Sequence, residues 1–153
     1  MSQPDPPSDL ESHLGYWLRI VSNAVSRGFA RQVEAEGVTV AEWVFLRVLY
    51  DSGPIAPSQL AERMAMTRGA VSKLAERLVD KGLVERRPNP GDGRAHTLVL
   101  MPSGRNLVPR LAALADGNDA AFFAALAPPE RQQLEQILRK IVRERALTDI
   151  PID

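Results

Sequence analysis

Residues Pro57–Arg105 read PSQLAERMAMTRGAVSKLAERLVDKGLVERRPNPGDGRAHTLVLMPSGR, and the spacing within this stretch decides the fold. Pro57 suits the first position of a short helix, because the N–H it lacks would find no partner there anyway. Thr67 stands as an N-cap before a second run, in which Val71, Leu74, Ala75 and Leu78 fall on one face. Gly82 supplies the stop. Beyond it, the strand-like runs "LVERR" and "TLVLM" flank a connection rich in Pro, Gly and Arg. A short helix, a tight connection, an amphipathic helix and a two-stranded ribbon, in that order, are the layout of a winged helix-turn-helix.

The amphipathic helix must bury one face and offer the other. At about 100° per residue, the face opposite Val71, Leu74 and Leu78 carries Gly69, Ser72, Lys73, Glu76 and Asp80, with Arg77 on its flank. Arg68 lies in the first turn, where recognition helices meet base edges. The small residues Gly69, Ala70 and Ser72 around it let the helix approach the floor of a major groove. Arg68 and Lys73 can reach guanine acceptors or phosphates, and Ser72 can donate to either. Taken alone, this helix reads more readily as a solvated amphipathic helix, which is a common element. The ribbon that follows shifts the balance. Pro88 and Pro90 are expected to end the strand ladder, and Gly91 and Gly93 permit sharp turns. Asp92, two residues before Arg94, can accept from loop amides or hold a guanidinium, which would fix the tip. Arg94 then extends from a narrow projection, the kind of cation that an electronegative minor groove attracts. Arg86 and Arg87 line the base of the ribbon. The competing reading is a flexible surface loop with incidental charges.

Working outward, residues 1–8 contain three prolines and read as a disordered tail. From Asp9 as N-cap, Leu10, Leu14, Trp17, Leu18, Val21, Val25, Phe29 and Val33 recur at helical spacing up to a stop at Gly37. One helix of about 27 residues would be roughly 40 Å long, too long for one small domain to cover, so it is expected to pack against another chain. Thr39 and Glu42 form a capping-box pattern ahead of "WVFLRVLY", a helix ending at Gly53. After the ribbon, a fifth helix is expected from Ser103 to Leu126, bent at Pro109 and loosened at Gly117. The last helix follows "APPE" and carries Leu134, Ile137, Leu138, Ile141 and Val142 on one stripe. The fold class is therefore mainly α with a small β-wing, in the order α-α-α-α-β-β-α-α.

Composition narrows the function. Hydrophobic residues make up 44% and charged residues 25%, an ordinary globular balance, while 5% aromatics with abundant Ala and Leu point to helix packed on helix. Zero net charge argues against indiscriminate nucleic-acid binding, but the distribution is uneven. Residues 52–105 hold nine Lys/Arg against five Asp/Glu, and the remainder holds ten against fourteen, so the positive charge gathers around the ribbon. Without cysteine there is no disulfide framework, thiolate metal site or thiol switch. His13 and His96, the only histidines, have no second ligand at zinc spacing, so no metal and no cofactor is expected. No nucleophile elbow, phosphate-binding glycine loop or paired His/carboxylate motif occurs, and Gly91 and Gly93 lie in a hairpin rather than before a helix, so an enzyme is not expected. No apolar run approaches the ~20 residues of a membrane span, and the start lacks the pattern of a signal peptide. The expectation is a cytoplasmic protein without a membrane partner.

Residues Pro57–Arg105 resemble the winged helix-turn-helix of the multiple antibiotic resistance regulator (MarR) family, and the flanking helices resemble that family's dimerisation region. The family's wing signature is Asp, any residue, Arg, five residues, Leu-Thr and, three positions after the Thr, Gly. It is met here at Asp92, Arg94, Leu100 and Gly104. Met101 stands where the family usually has the Thr that caps the next helix, and Ser103 is the expected substitute. The resemblance implies a division into dimerisation helices at 9–37 and 103–148 and a DNA-binding domain at 39–101. It implies a homodimer whose first, fifth and sixth helices intertwine. Each subunit would place its fourth helix in a major groove and its wing Arg in the adjacent minor groove of double-stranded DNA. Two-fold symmetry then calls for an inverted-repeat operator. Family members usually repress transcription, and many release DNA when a small anionic or phenolic effector binds between the dimer helices and the DNA-binding lobe. By the same analogy His13, Tyr16 and Trp17 could line that pocket, against core packing for Trp17 and a solvated helix position for His13. The DNA-contacting set is Arg68, Gly69, Ser72, Lys73, Arg77, Arg86, Arg87, Asp92 and Arg94. The alternative, in a different class, is a winged helix that docks a partner protein without regulated DNA binding.

Overall fold

The computed structural model describes residues 4–89, 91–148 and 151–152, with the side chains of residues 92–94 outside that description. A 3₁₀ turn (Leu10–Ser12) is followed by α1 (Leu14–Ala35), α2 (Val40–Ser52), α3 (Pro57–Arg63) and α4 (Arg68–Asp80). The ribbon is β1 (Val84–Asn89) and β2 (Asp92–Leu100), and α5 (Pro102–Phe122) and α6 (Pro128–Glu144) complete the chain. The element order is the one expected from the spacing.

The first helix departs from expectation. It does not run unbroken from Asp9, because His13 is extended (φ −94°, ψ 125°) and separates the 3₁₀ turn from α1. Ser12 Oγ donates to the Asp9 carbonyl at 2.6 Å and His13 Nδ1 lies 3.2 Å from the Leu10 carbonyl. These local side-chain contacts offer the carbonyls an alternative to the α-helical ladder. Trp17 Nε1 donates to the Glu11 carbonyl at 2.7 Å and folds the turn back onto α1. The 22 residues that remain make α1 about 33 Å long.

The caps read from the sequence are present. Thr39 Oγ1 accepts from the Glu42 N–H at 3.1 Å and Glu42 Oε1 accepts from the Thr39 N–H at 3.4 Å, closing the capping box of α2. Thr67 Oγ1 accepts from the Ala70 N–H at 3.1 Å at the start of α4. Between α3 and α4 the chain turns through Ala65 at φ +51°. The Met66 N–H donates to the Ala61 carbonyl at 3.0 Å and the Ala65 N–H to the Glu62 carbonyl at 3.2 Å, the paired bonds of a Schellman ending.

The core lies in the middle of the chain. Phe45, Leu46 and Leu49 of α2 meet Leu60 of α3, and Val71, Leu74, Ala75 and Leu78 of α4 pack with them. The ribbon adds Val84, Leu98 and Leu100, and α5 adds Leu107, Val108 and Leu111. Each large side chain buried there is worth about 1.5–3 kcal/mol relative to exposure. The ends of the chain contribute little. Only Val33 of α1 is buried, and no residue of α6 is.

The ribbon is longer than its breakers suggested. β1 and β2 pair antiparallel from Val84↔Leu100 to Pro88↔His96, and Asn89 pairs with Asp92 after a bulge. Pro88 does not end the ladder, and the reason lies on the other side of β2. The Leu98 N–H donates to the Ile55 carbonyl at 2.9 Å, and the Leu98 carbonyl accepts from the Ile55 N–H at 3.2 Å, so both groups of Leu98 point away from β1. Arg86↔Leu98 is then a pair without mutual hydrogen bonds, and two residues on, so is Pro88↔His96. The Pro88 nitrogen faces away from β2, where a missing N–H costs no ladder bond.

At the next junction Ser103 does not cap α5. Its Oγ donates to the Gly82 carbonyl at 2.5 Å, while α5 starts with Pro102 behind Met101, which makes no side-chain cap. The junction is close-packed instead. The Met101 N–H donates to the Leu83 carbonyl at 2.9 Å, and a Cβ on Gly104 would stand 2.3 Å from that same oxygen. The fifth helix ends at Phe122, about one turn before the expected Leu126. Ala127 is extended (φ −65°, ψ 153°) ahead of Pro128, which keeps α5 and α6 separate.

Candidate nucleic-acid interface

The buried face of α4 orients its opposite side outward. Arg68, Gly69, Ser72, Lys73, Glu76, Arg77 and Asp80 are all exposed, as the periodicity requires. Arg68 is the first residue of the helix, beside the Thr67 cap. A Cβ built on Gly69 meets nothing within 4 Å, so packing within this chain does not demand the glycine. Arg86 projects from β1 toward α4, and its Nη2 donates to the Ser72 carbonyl at 3.4 Å. This contact ties the base of the ribbon to the middle of the helix.

Further along β1, Arg87 is exposed and its Nη2 lies 3.3 Å from Glu85 Oε2. The screened, solvent-facing pair leaves the guanidinium available to another anion. Near the tip, Thr97 Oγ1 donates to Asn89 Oδ1 at 2.9 Å, a cross-strand link. Asp92 and Arg94 belong to β2, and their expected contacts fall outside the described side chains. The arrangement thus presents Arg68, Gly69, Ser72, Lys73 and Arg77 on the exposed side of α4 with Arg86 reaching that helix, while Arg87, one residue on in the strand, is exposed on the opposite face of the ribbon beside Glu85. It is a convex, cation-bearing helix with a projecting ribbon beside it.

His13, Tyr16 and Trp17 are not part of that surface. They lie at the start of α1, where the Tyr16 and Trp17 rings meet edge to face at 5.3 Å between centroids and Trp17 remains half exposed. A cleft of about 490 Å³ opens elsewhere, between α1, α2 and α5. Its walls include Phe29, Trp43 and Val44, and its polar groups include Ser26, Arg47 and Asn118. Phe29 and Trp43 stand edge to face at 6.3 Å. Arg47 Nε lies 3.2 Å from Asp51 Oδ2, and Asn118 Nδ2 donates to the Val25 carbonyl at 3.2 Å. Helical spacing in α2 alone would put Trp43 on the inward face. The structure leaves it half-buried as a cleft wall, because helical spacing marks an inward face without telling how closely the next helix covers it.

Sequence reasoning also missed Lys81. It follows α4 and donates from Nζ to Glu42 Oε2 at 2.6 Å and to the Gly37 carbonyl at 2.8 Å. Nothing in the spacing of residues so far apart signals that contact. Among the described residues no group of three or more His, Cys, Asp or Glu is placed to hold a metal ion, and no helix is long and apolar enough to cross a membrane.

The chain matches the MarR family over residues 36–95. It is 31% identical to a transcriptional regulatory protein for the hcr operon of Thauera aromatica, over 91% of this chain and 84% of that one. Among solved structures it is similar to a mutant of MarR from E. coli complexed with operator DNA, at 27% identity and TM-score 0.74, covering 88% of this chain and 99% of the other. It is also similar to a MarR-family protein of Mycobacterium tuberculosis in complex with salicylic acid, at 28% identity and TM-score 0.66, covering 90% and 98%. The winged helix with its cationic outer face, the six-helix frame around it and the relatedness along nearly the whole chain lead to one assignment: this chain belongs to the MarR family of transcriptional regulators.

Proposed function

We propose that this chain is a dimeric, sequence-specific repressor that binds an inverted-repeat operator in double-stranded DNA and leaves it when a small aromatic acid binds. The observation that carries the reading is the exposed face of α4, with Arg68 at its first position and Arg86 and Arg87 on the adjoining ribbon. In this reading residues 39–101 bind DNA, and 9–37 with 103–148 form the dimer. Arg68, Gly69, Ser72, Lys73 and Arg77 face the major groove. Arg86 and Arg87 hold phosphates, and Arg94, steadied by Asp92, enters the minor groove. The protein acts in the cytoplasm and catalyses no reaction.

The dimer follows from what the core leaves uncovered. Leu14 is 87% exposed, and Trp17, Leu18, Ile137 and Ile141 are each about half exposed, on helices with almost no buried residues of their own. Such stripes are stable in water only when another apolar surface covers them, and terminal helices from two chains cover each other. The effector site is the cleft between α1, α2 and α5. Its aromatic walls suit a ring, and Arg47 and Asn118 suit a carboxylate or phenol. His13, Tyr16 and Trp17 sit toward the start of α1, with Trp17 about 18 Å from Phe29 along the helix, so they approach such a site only from a second chain.

Selection of the preferred duplex from a random pool tests the whole reading. The expected product is an inverted repeat with half-site centres about 10 bp apart, bound with a steep inverse dependence on salt. Salicylate should release that complex, and Arg47→Ala should blunt the release while leaving DNA affinity unchanged. Failure to enrich any sequence would instead favour a winged helix that docks a protein.

A further inference from the structure

Glu42 is the one charged residue fully inside the described core, 1% exposed. Its capping role explains only half of its carboxylate. Oε1 accepts from the Thr39 N–H, and Oε2 accepts from Lys81 Nζ at 2.6 Å. A capping box needs no lysine. The same ammonium donates to the Gly37 carbonyl at 2.8 Å, so one group joins three places. Gly37 follows the end of α1, Glu42 lies in the first turn of α2, and Lys81 is the C-cap of α4. Each charge also sits at the helix end that its sign favours. The corner between α1 and α2 is held from a second side by the contact of Arg110 in α5 with Glu36.

Only the carboxylate is buried; the Lys81 side chain is 38% exposed, so the pair adds little net stability, but its two acceptors at the α1–α2 corner fix where the ammonium sits. We infer that Lys81 is a positioning residue for operator recognition, locking α4 to the α1–α2 corner so that α1 sets the separation of the two recognition helices. The inference rests on the dimeric DNA-binding reading above. The hydrophobic core joins α4 to Val33 of α1 and to Leu107, Val108 and Leu111 of α5 by non-directional packing, whereas Lys81 adds a directional link from the end of α4 to the α1–α2 corner. Without that connection the lobe can turn about the corner, and half-site spacing is read less strictly. One inserted base pair moves a half-site by about 3.4 Å and turns it by about 35°, a displacement a rigid dimer must reject.

The chain has no cysteine, so Glu76→Cys on the exposed face of α4 carries a single nitroxide label per protomer in the 153-residue chain. Pulsed dipolar spectroscopy should give one narrow distance between the labels in the parent and a broad distribution in Lys81→Met. Lys81→Arg, which keeps two donors, should restore the narrow one. On DNA, Lys81→Met should bind the selected operator roughly tenfold more weakly, a loss comparable to one mismatched base pair. It should also lose most of the parent's discrimination against spacers one base pair longer or shorter. Glu42→Gln/Lys81→Met keeps the cap acceptor and removes both charges, and this fold control should show the same broad distances and relaxed spacing. Folded variants with the parent's narrow distance and spacing discrimination would overturn the inference. A parent with no distance between protomers would overturn the dimeric reading and the inference with it.

Discussion

Ala65 and Gly104 show how single backbone positions decide whether the DNA-binding lobe closes correctly. Ala65 occupies the left-handed region at φ +51°, where an L side chain costs roughly 1–2 kcal/mol and glycine does not. Ala65→Gly should therefore stabilise the fold by about 0.5–1 kcal/mol after the glycine's own entropic cost, and calorimetry should show a melting temperature higher by a few degrees. Gly104 is the reverse case. Its Cβ would press on the Leu83 carbonyl, a backbone atom already engaged by the Met101 N–H. Gly104→Ala should cost about 1–3 kcal/mol or more, read from urea midpoints. Gly69 separates stability from recognition, because nothing lies near a Cβ placed there. Gly69→Val should leave the folded lobe intact yet weaken operator binding by crowding the groove. An unchanged affinity would remove Gly69 from the interface.

The recognition helix and the ribbon divide their work by what each can reach. In the proposed function Arg68, the first residue of α4, is the base reader, and Arg87, exposed on the ribbon beside Glu85, is a phosphate contact. Arg68→Ala should flatten the sequence preference at particular base pairs and cost about 1–3 kcal/mol on the best site. Arg87→Ala should weaken all duplexes alike and lower the salt slope by about one. A series of operators with single substitutions measures both, and uniform losses for Arg68→Ala would count against it as a base reader. Within the ribbon, Leu98 is fully buried and is hydrogen-bonded to Ile55 on one side while its neighbours pair with β1 on the other. The wing is thus rooted in the core.

The whole molecule has a well-filled centre and under-filled ends. No residue of α6 is buried, and a cleft of about 640 Å³ runs along its apolar stripe past Leu134, Leu138 and Val142. Charges placed on that stripe should therefore leave the lobe folded and act only on association. Ile137→Glu/Ile141→Glu is expected to sediment as a monomer at micromolar concentration with its far-ultraviolet dichroism largely retained. Its operator affinity should fall at least ~100-fold, because each half-site is then bound alone. A double variant that remains dimeric would place the dimer surface elsewhere.

Much of this was legible from the chain alone. The Thr39/Glu42 box, the Thr67 cap, the Pro57 start and the buried face of α4 all depend on residues within one or two helical turns, so their spacing in the sequence is their spacing in space. The exposed face of α4 followed from the same periodicity, and the wing was recognised by its resemblance to the family's signature at Asp92, Arg94, Leu100 and Gly104. Tertiary contacts decided the rest. Pro88 stays in the ladder because Ile55, more than thirty residues earlier, takes the other edge of β2 and sets which groups of β1 face inward. Ser103 turns from α5 to the Gly82 carbonyl because the close approach at Gly104 brings the two segments together. Trp43 becomes a cleft wall and Lys81 a clasp only once α1, α2, α4 and α5 have met. Periodicity tells a side chain which way to face, and only the folded arrangement of several elements supplies what it faces.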